Sequence, residues 1–255
     1  MMEWRNVTAG YGETPVLQNL NLTLPAGRII SLIGPNGCGK TTLLRTAARL
    51  LPVKQGEILL GGKNTASFTR RELARRIAVL PQTRDVPDIT VNTLVLHGRF
   101  PYLGWSRQPR PEDRELAEQA MRQTGVWDYR ARGLRSLSGG ERQKAYLAMT
   151  IAQDAEWLLL DEPTTYLDIH HQFEILALIE QLQKQNKTVI MVLHDLGQTL
   201  QYSDHIVLMQ AGKIAACGTP DTLFHSGLLQ KVFHAQPHRQ EKEKRPVYYF
   251  TPLSD

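Results

Sequence analysis

Ile29-Ile30-Ser31-Leu32-Ile33 runs directly into Gly34-Pro35-Asn36-Gly37-Cys38-Gly39-Lys40-Thr41-Thr42. The first five residues form a mostly apolar, β-branched run, as expected of a strand buried on both faces. Glycines at 34, 37 and 39 follow. Leu44, Ala47, Ala48 and Leu51 then share one face of a helix predicted from Lys40 to Leu51. Gly34 to Thr41 fits the pattern G-x-x-x-x-G-K-[ST] in the strand–loop–helix setting that this pattern requires. Glycines let backbone N–H groups wrap a phosphate, and the helix N-terminus adds partial positive charge. Lys40 offers a counter-charge to the β- and γ-phosphates, and the Thr41 hydroxyl offers a ligand to Mg²⁺. The expected ligand of this segment is a nucleotide.

Outward from that stretch, similar apolar runs recur at Ile77 to Leu80, Trp157 to Leu160, Thr188 to Leu193 and Ile206 to Met209. Between the second and third of these, Phe173 to Leu182 sets Ile175, Leu178, Ile179 and Leu182 at helical spacing. Strands alternating with helices predict an α/β fold around a mostly parallel sheet. The first 28 residues differ, with Val7, Val16, Leu20, Leu22 and Leu24 among Gly10, Gly12, Pro15 and Pro25. They predict short strands and turns of an antiparallel lobe. From about Pro87 to Ala155 no strand-like run of length occurs, and Leu116, Ala120 and Met121 mark a helix near Glu112 to Thr124. That region predicts a helical insertion between two sheet strands. No internal repeat is present, which excludes a solenoid.

Composition narrows the class. The chain has 255 residues, 42% hydrophobic and 22% charged, with a net charge of +5. It is long enough for a sizeable core, and its charge fraction does not suggest wholesale disorder. No apolar run approaches the length of a membrane span. The start, Met-Met-Glu-Trp-Arg, lacks the apolar core of a signal peptide, and Cys38 and Cys217 make no disulfide framework. A soluble chain in a reducing compartment is expected. Arg239, Lys242, Lys244 and Arg245 alternate with Glu241 and Glu243, so His238 to Arg245 reads as a solvated tail or loop. With no long basic block, no nucleic-acid partner is expected.

Two further segments carry chemistry. Trp157-Leu158-Leu159-Leu160-Asp161-Glu162 is an apolar strand ending in two carboxylates. Asp161 is suited to holding Mg²⁺ through water, and Glu162 to orienting or deprotonating an attacking water. In Leu137-Ser138-Gly139-Gly140-Glu141-Arg142-Gln143, Ser138 is a good helix N-cap, and Gly139 and Gly140 permit close backbone approach. This is a second helix N-terminus suited to phosphate, expected on a different lobe from the first. Two chains placed head to tail bring such sites together more easily than one chain does.

With these motifs in order, the sequence resembles the ATP-binding-cassette ATPases over nearly its whole length. Leu137 to Glu141 is similar to the family's signature motif. Gln82 resembles the Q-loop glutamine, His194 the switch histidine, and Tyr11 the aromatic that stacks on adenine. Pro163-Thr164-Thr165-Tyr166-Leu167-Asp168 resembles the D-loop region.

The resemblance implies a P-loop NTPase (RecA-like) core with an N-terminal antiparallel β lobe and an inserted helical subdomain. Residues 1–255 would form one ATPase domain, with 1–86 and 156–235 as core and β lobe. Residues 87–155 would be the helical subdomain and 236–255 a tail, in which Tyr248, Tyr249 and Phe250 suggest a terminal strand or packing segment. It implies ATP and Mg²⁺ as ligands, with Tyr11, Gly34, Pro35, Asn36, Gly37, Cys38, Gly39, Lys40, Thr41, Thr42, Ser138, Gly139 and Gly140 binding nucleotide. Thr41, Gln82 and Asp161 would serve the metal, and Glu162, His194, Gln82 and Lys40 would be catalytic.

Thr164 to Ile169 and His171-Gln172, with Gly98-Arg99-Phe100-Pro101-Tyr102, resemble the branch importing iron–siderophore and ferric dicitrate complexes. Haem and cobalamin importers lie nearby. That branch implies a homodimer under an integral-membrane permease at the cytoplasmic face of the inner membrane, served indirectly by a substrate-binding protein. Alternatives left open are another transporter, an exporter among them, a soluble regulatory ATPase and a nucleic-acid-linked ATPase.

Overall fold

The computed structural model describes residues 1–82, 86–104, 108–165, 167–243 and 245–253. Tyr166 and Lys244, both named above, lie outside the described residues. The chain forms two compact units: residues 1–68 with 188–255, and residues 69–187.

The first unit opens with β1 (Met2–Tyr11) and β2 (Thr14–Leu24). These are longer than the short strands expected. Their antiparallel pairing shifts register between Trp4 and Val7 and again near Ala9, so irregularities are absorbed without ending the ladder. Asn6 and Asn19 take positive φ there, and the Asn21 side chain accepts from the Asn6 N–H at 2.9 Å. β3 (Ile29–Ile33) is buried at every residue and leads through the glycine loop into α1 (Lys40–Ala47). The helix expected to reach Leu51 stops four residues earlier. Arg49 adopts a φ of 55°, and Leu51 precedes Pro52, whose ring disfavours helical backbone before it. β4 (Val53–Leu60) pairs with β1, and β5 (Lys63–Asn64) with β4, completing an antiparallel sheet in the order β2-β1-β4-β5.

The second unit contains α2 (Arg70–Ala74), β6 (Ile77–Leu80), α3 (Val91–His97), α4 (Pro111–Gln123), α5 (Gly139–Ala152), β7 (Trp157–Asp161) and α6 (Ile169–Lys184). β6 and β7 are parallel, and α3, α4 and α5 lie between them in sequence, as expected of a helical insertion. A buried ion pair fastens these helices: Arg99 Nε donates to Asp113 Oδ1 at 3.1 Å, and Arg99 Nη1 donates to the Ala152 carbonyl at 2.8 Å.

The first unit resumes with β8 (Thr188–Val192), α7 (Leu196–Tyr202), β9 (His205–Gln210), β10 (Lys213–Gly218), α8 (Pro220–His225), α9 (Leu228–Phe233), β11 (Ala235–Gln240) and β12 (Val247–Pro252). β3 pairs in parallel with both β8 and β9, which is why its residues are apolar on both faces. β10 closes antiparallel on β9. Of the segment His238 to Arg245, expected as a solvated tail or loop, 238–240 end β11 while 241–243 are exposed outside any strand. Tyr248 to Phe250 lie in β12, as a terminal strand requires, with Tyr248 packed in a cluster with Ile33, Leu200, Leu223 and Leu229. This is the α/β architecture of the P-loop NTPases.

Candidate functional site

The phosphate loop is built by β3 and α1. Gly34 has a φ of 146°, and a Cβ there would lie 2.1 Å from the Met209 carbonyl oxygen, so only glycine fits. The loop is clasped from behind: Gly212 N–H donates to the Cys38 carbonyl at 3.1 Å, and Gln18 N–H to the Gly212 carbonyl at 3.5 Å. Gly39 caps α1 with φ 107°, and the first turn carries no acidic residue. A helix N-terminus without acidic neighbours favours an anion. Pro35, Asn36 and Gly37 are exposed, whereas Cys38, Lys40 and Thr42 are buried. Cys38 sits inside the loop, its sulfur 3.8 Å from Lys40 Nζ. The Lys40 ammonium bonds the carbonyls of Gly34 and Pro35, holding a positive charge within the loop.

Two more expected residues lie in this unit. Tyr11, nearly half exposed, ends β1, and its hydroxyl accepts from Arg45 Nη1 of α1 at 3.2 Å. No local signal in the sequence marks the reach of Arg45 to Tyr11. His194 is exposed one residue past buried Leu193, where β8 has ended. The next residue, Asp195, caps α7 by accepting the Gln198 N–H at 2.8 Å.

The second unit holds the acidic strand end and the glycine-rich helix start. Asp161 is buried as the last residue of β7. Glu162 follows with a φ of 55°, a left-handed backbone that a non-glycine residue holds at a cost of about 1–3 kcal/mol. Thr165 Oγ1 donates to Glu162 Oε2 at 3.1 Å, fixing the carboxylate in its turn. Neither the turn nor this bond is visible as a pattern in the sequence. Gln82 is exposed just beyond β6.

Ser138 is the N-cap of α5 and forms a capping box. Its Oγ accepts from Glu141 N–H at 3.2 Å, and Glu141 Oε2 accepts from Ser138 N–H at 2.8 Å. The bond from the Ser138 backbone is the chief reason that the Glu141 carboxyl lies below its ordinary value. Ser138 and Gly139 are exposed at the helix start. A Cβ on Gly140 would stand 3.5 Å from Leu167, so the glycine helix and the D-loop-like segment approach each other. Gln143 Nε2 joins them by donating to the Pro163 carbonyl at 2.7 Å. Asp168 caps α6 and bonds His171 Nδ1 at 2.7 Å; the His171 backbone N–H is the main cause of its lowered pKa.

The oxygen donors named for Mg²⁺ fit a hard cation. Thr41 brings a hydroxyl and Asp161 a buried carboxylate, and Mg²⁺ bound with substrate phosphates typically needs only one or two protein carboxylates. Among the described residues no group of three or more His, Cys, Asp or Glu is arranged to hold a metal alone. None of the described helices is long and apolar enough to cross a membrane.

The family model described as "ABC transporter" matches residues 17–165, more than half of the chain. The chain is 44% identical over 237 residues to the petrobactin import ATP-binding protein FpuD of Bacillus anthracis, covering 92% of this chain and 87% of that protein. It is 41% identical over 229 residues to the ferric enterobactin transport ATP-binding protein FepC of Escherichia coli (strain K12), covering 89% and 84%. Among solved structures, an inward-facing transporter described as of metal-chelate type superposes with a TM-score of 0.84 at 28% identity, over 99% of this chain and 97% of that one. The phosphate loop, the acidic strand end and the capped glycine helix therefore have a common explanation: the chain belongs to the ABC transporter family, as an ATP-binding and ATP-hydrolysing subunit.

Proposed function

We propose that this chain powers the import of iron(III)–siderophore or ferric dicitrate complexes, working as a homodimer beneath a separate permease on the cytoplasmic face of the cell membrane. A substrate-binding protein would deliver the complex to that permease. The observation that carries the ATPase reading is a phosphate loop bearing an enclosed ammonium, in a chain that also has an exposed, capped Ser138-Gly139-Gly140 helix start. The iron-chelate cargo is supported by relatives named for petrobactin and ferric enterobactin. Ser138 and Gly139, exposed at the start of α5, support closure of the site by a second copy.

In this reading Tyr11 stacks on adenine and residues 34–42 wrap the phosphates. Thr41 and Asp161 would hold Mg²⁺, with Gln82 beside them; the ion would neutralise charge on the transferred phosphoryl group. Lys40 neutralises the β- and γ-phosphates, and His194 contacts the γ-phosphate. Glu162, held by Thr165, orients the attacking water. Ser138, Gly139 and Gly140 of the second copy close over the γ-phosphate. Phosphoryl transfer needs little covalent chemistry from the protein, so this positioning and charge supply most of the catalysis. The residue groups 1–86 with 156–235, 87–155 and 236–255 would act as core, helical subdomain and tail of one ATPase domain.

The test is uptake of radiolabelled ferric siderophore by iron-starved cells lacking the chain, complemented with wild type or Glu162→Gln. Wild type restores uptake and the variant does not. Undiminished ferric-siderophore uptake in the deletion strain, with haem or cobalamin uptake lost instead, would reassign the cargo.

A further inference from the structure

The seven residues of α7 begin two positions after His194. A helix this short has no stability of its own in water, so packing determines where it sits. Within the first unit, much of that packing comes from the C-terminal hairpin of β11 and β12. The Tyr248 backbone crosses the first turn of α7 so closely that a Cβ on Gly197 would lie 2.7 Å from the Tyr248 carbonyl oxygen and 3.1 Å from Asp195 Oδ1. The Tyr248 ring enters the cluster of Ile33, Leu200, Leu223 and Leu229, against Phe224 at 5.4 Å. At the other end of α7, Arg245 Nη1 donates to the Gln201 carbonyl at 3.4 Å, and its guanidinium lies 4.7 Å from the Tyr202 ring centre. The hairpin thus holds α7 at both ends. The same Asp195 that meets the Gly197 contact caps the helix and follows His194 directly.

We infer that the C-terminal hairpin positions His194 for hydrolysis by clamping α7 through the Gly197–Tyr248 contact. This rests on the proposed contact of His194 with the γ-phosphate. Gly197, Tyr248 and Arg245 are positioning residues that act through α7. Residues 235–252 hold none of the residues named for nucleotide or metal, so the hairpin can act on the site only through α7 and the cluster beneath it. Ile33 joins the hairpin cluster just before the phosphate loop, but the loop itself is tethered by Gly212 and Gln18. Displacing the hairpin should therefore disturb turnover more than binding.

The experiment compares the full-length chain with Gly197→Ala, Arg245→Ala, a truncation after His234, and His194→Ala. Steady-state ATPase, nucleotide affinity by fluorescence titration and thermal unfolding are measured for each. Gly197→Ala is expected to lower kcat about tenfold while KM and nucleotide affinity stay within about twofold of wild type. The truncation should do the same where it folds; where it does not, Gly197→Ala and the milder Arg245→Ala decide. In the His194→Ala background, Gly197→Ala should add no further loss, because both act through one group. Unchanged kcat in Gly197→Ala beside a clear loss in His194→Ala overturns the hairpin's role alone. Parallel losses of kcat, affinity and thermal midpoint overturn it as well, since they mark general destabilisation. Wild-type turnover in His194→Ala removes the reading of His194 and the inference together.

Discussion

The ammonium of Lys40, a residue only 7% exposed, donates to the carbonyl oxygen of Gly34 at 2.7 Å and to that of Pro35 at 3.1 Å. The charge is thus stored inside the loop and satisfied by the backbone that would wrap the phosphates. Binding nucleotide means exchanging these neutral acceptors for phosphate oxygens, which bond an ammonium more strongly. Lys40→Ala should weaken ATP affinity about tenfold to a hundredfold, as loss of a charge-assisted hydrogen bond implies. Isothermal titration gives the answer, and unchanged affinity would count against the role of Lys40.

Glu162 is held in a left-handed turn with its carboxylate bonded by Thr165. Glutamine keeps the shape but accepts a proton poorly. Glu162→Gln should retain ATP affinity and lower kcat by about a hundredfold to ten-thousandfold. An ATP-bound dimer should then accumulate on gel filtration. Full steady-state turnover would sink the assignment. Thr165→Val is expected to lower kcat more modestly, by loosening the carboxylate without removing it.

The capping box at α5 links stability to pH. The hydrogen bond from the Ser138 backbone N–H is the chief cause holding the Glu141 carboxyl below the ordinary glutamate value. A lowered folded-state pKa contributes stability above the unfolded value, lost as pH falls through the folded one. Glu141→Gln should therefore cost stability at neutral pH and flatten the decline below about pH 4.5. Denaturant melts across pH 3 to 7 test this, an interval that spans about the glutamate range. Ser138→Ala should cost about 1 kcal/mol through the lost cap.

Asp113 is fully buried and Arg99 nearly so. Burial alone would raise the Asp113 pKa, but bonds from Arg110 N–H and Arg99, with the Arg99 charge, outweigh it and lower the pKa. Asp113→Ala leaves a buried guanidinium without its carboxylate and should destabilise the second unit by about 3–5 kcal/mol. Chemical unfolding measures it. Replacing both partners with apolar residues should recover much of the loss, and no recovery would argue against an unpaired charge as the cause.

The apolar strand runs were legible because a strand buried on both faces leaves a contiguous signature: Ile29–Ile33 and Trp157–Asp161 are buried throughout. Helix ends were less legible. α1 stops at Ala47 because of Arg49 and Pro52, although Leu51 continues the apolar face. The charged segment 238–245 reads as solvated because its acids and bases alternate, and 241–243 are exposed outside any strand; what charge does not reveal is that 238–240 pair with β12 through backbone bonds. At the candidate site, the residue types were readable. The bonds that aim them, Arg45 to Tyr11, Thr165 to Glu162 and Gln143 to Pro163, were not.

The sequence alone determined the family and the kind of chemistry, because a phosphate loop, an acidic strand end and a capped glycine helix are each made by consecutive residues. Only the tertiary structure decided that Lys40 is enclosed by its own loop, that Glu162 stands in a left-handed turn, and that Gly197 lies under Tyr248. The last of these joins residues far apart in the chain. Such contacts arise from packing, and packing is settled when the whole core closes.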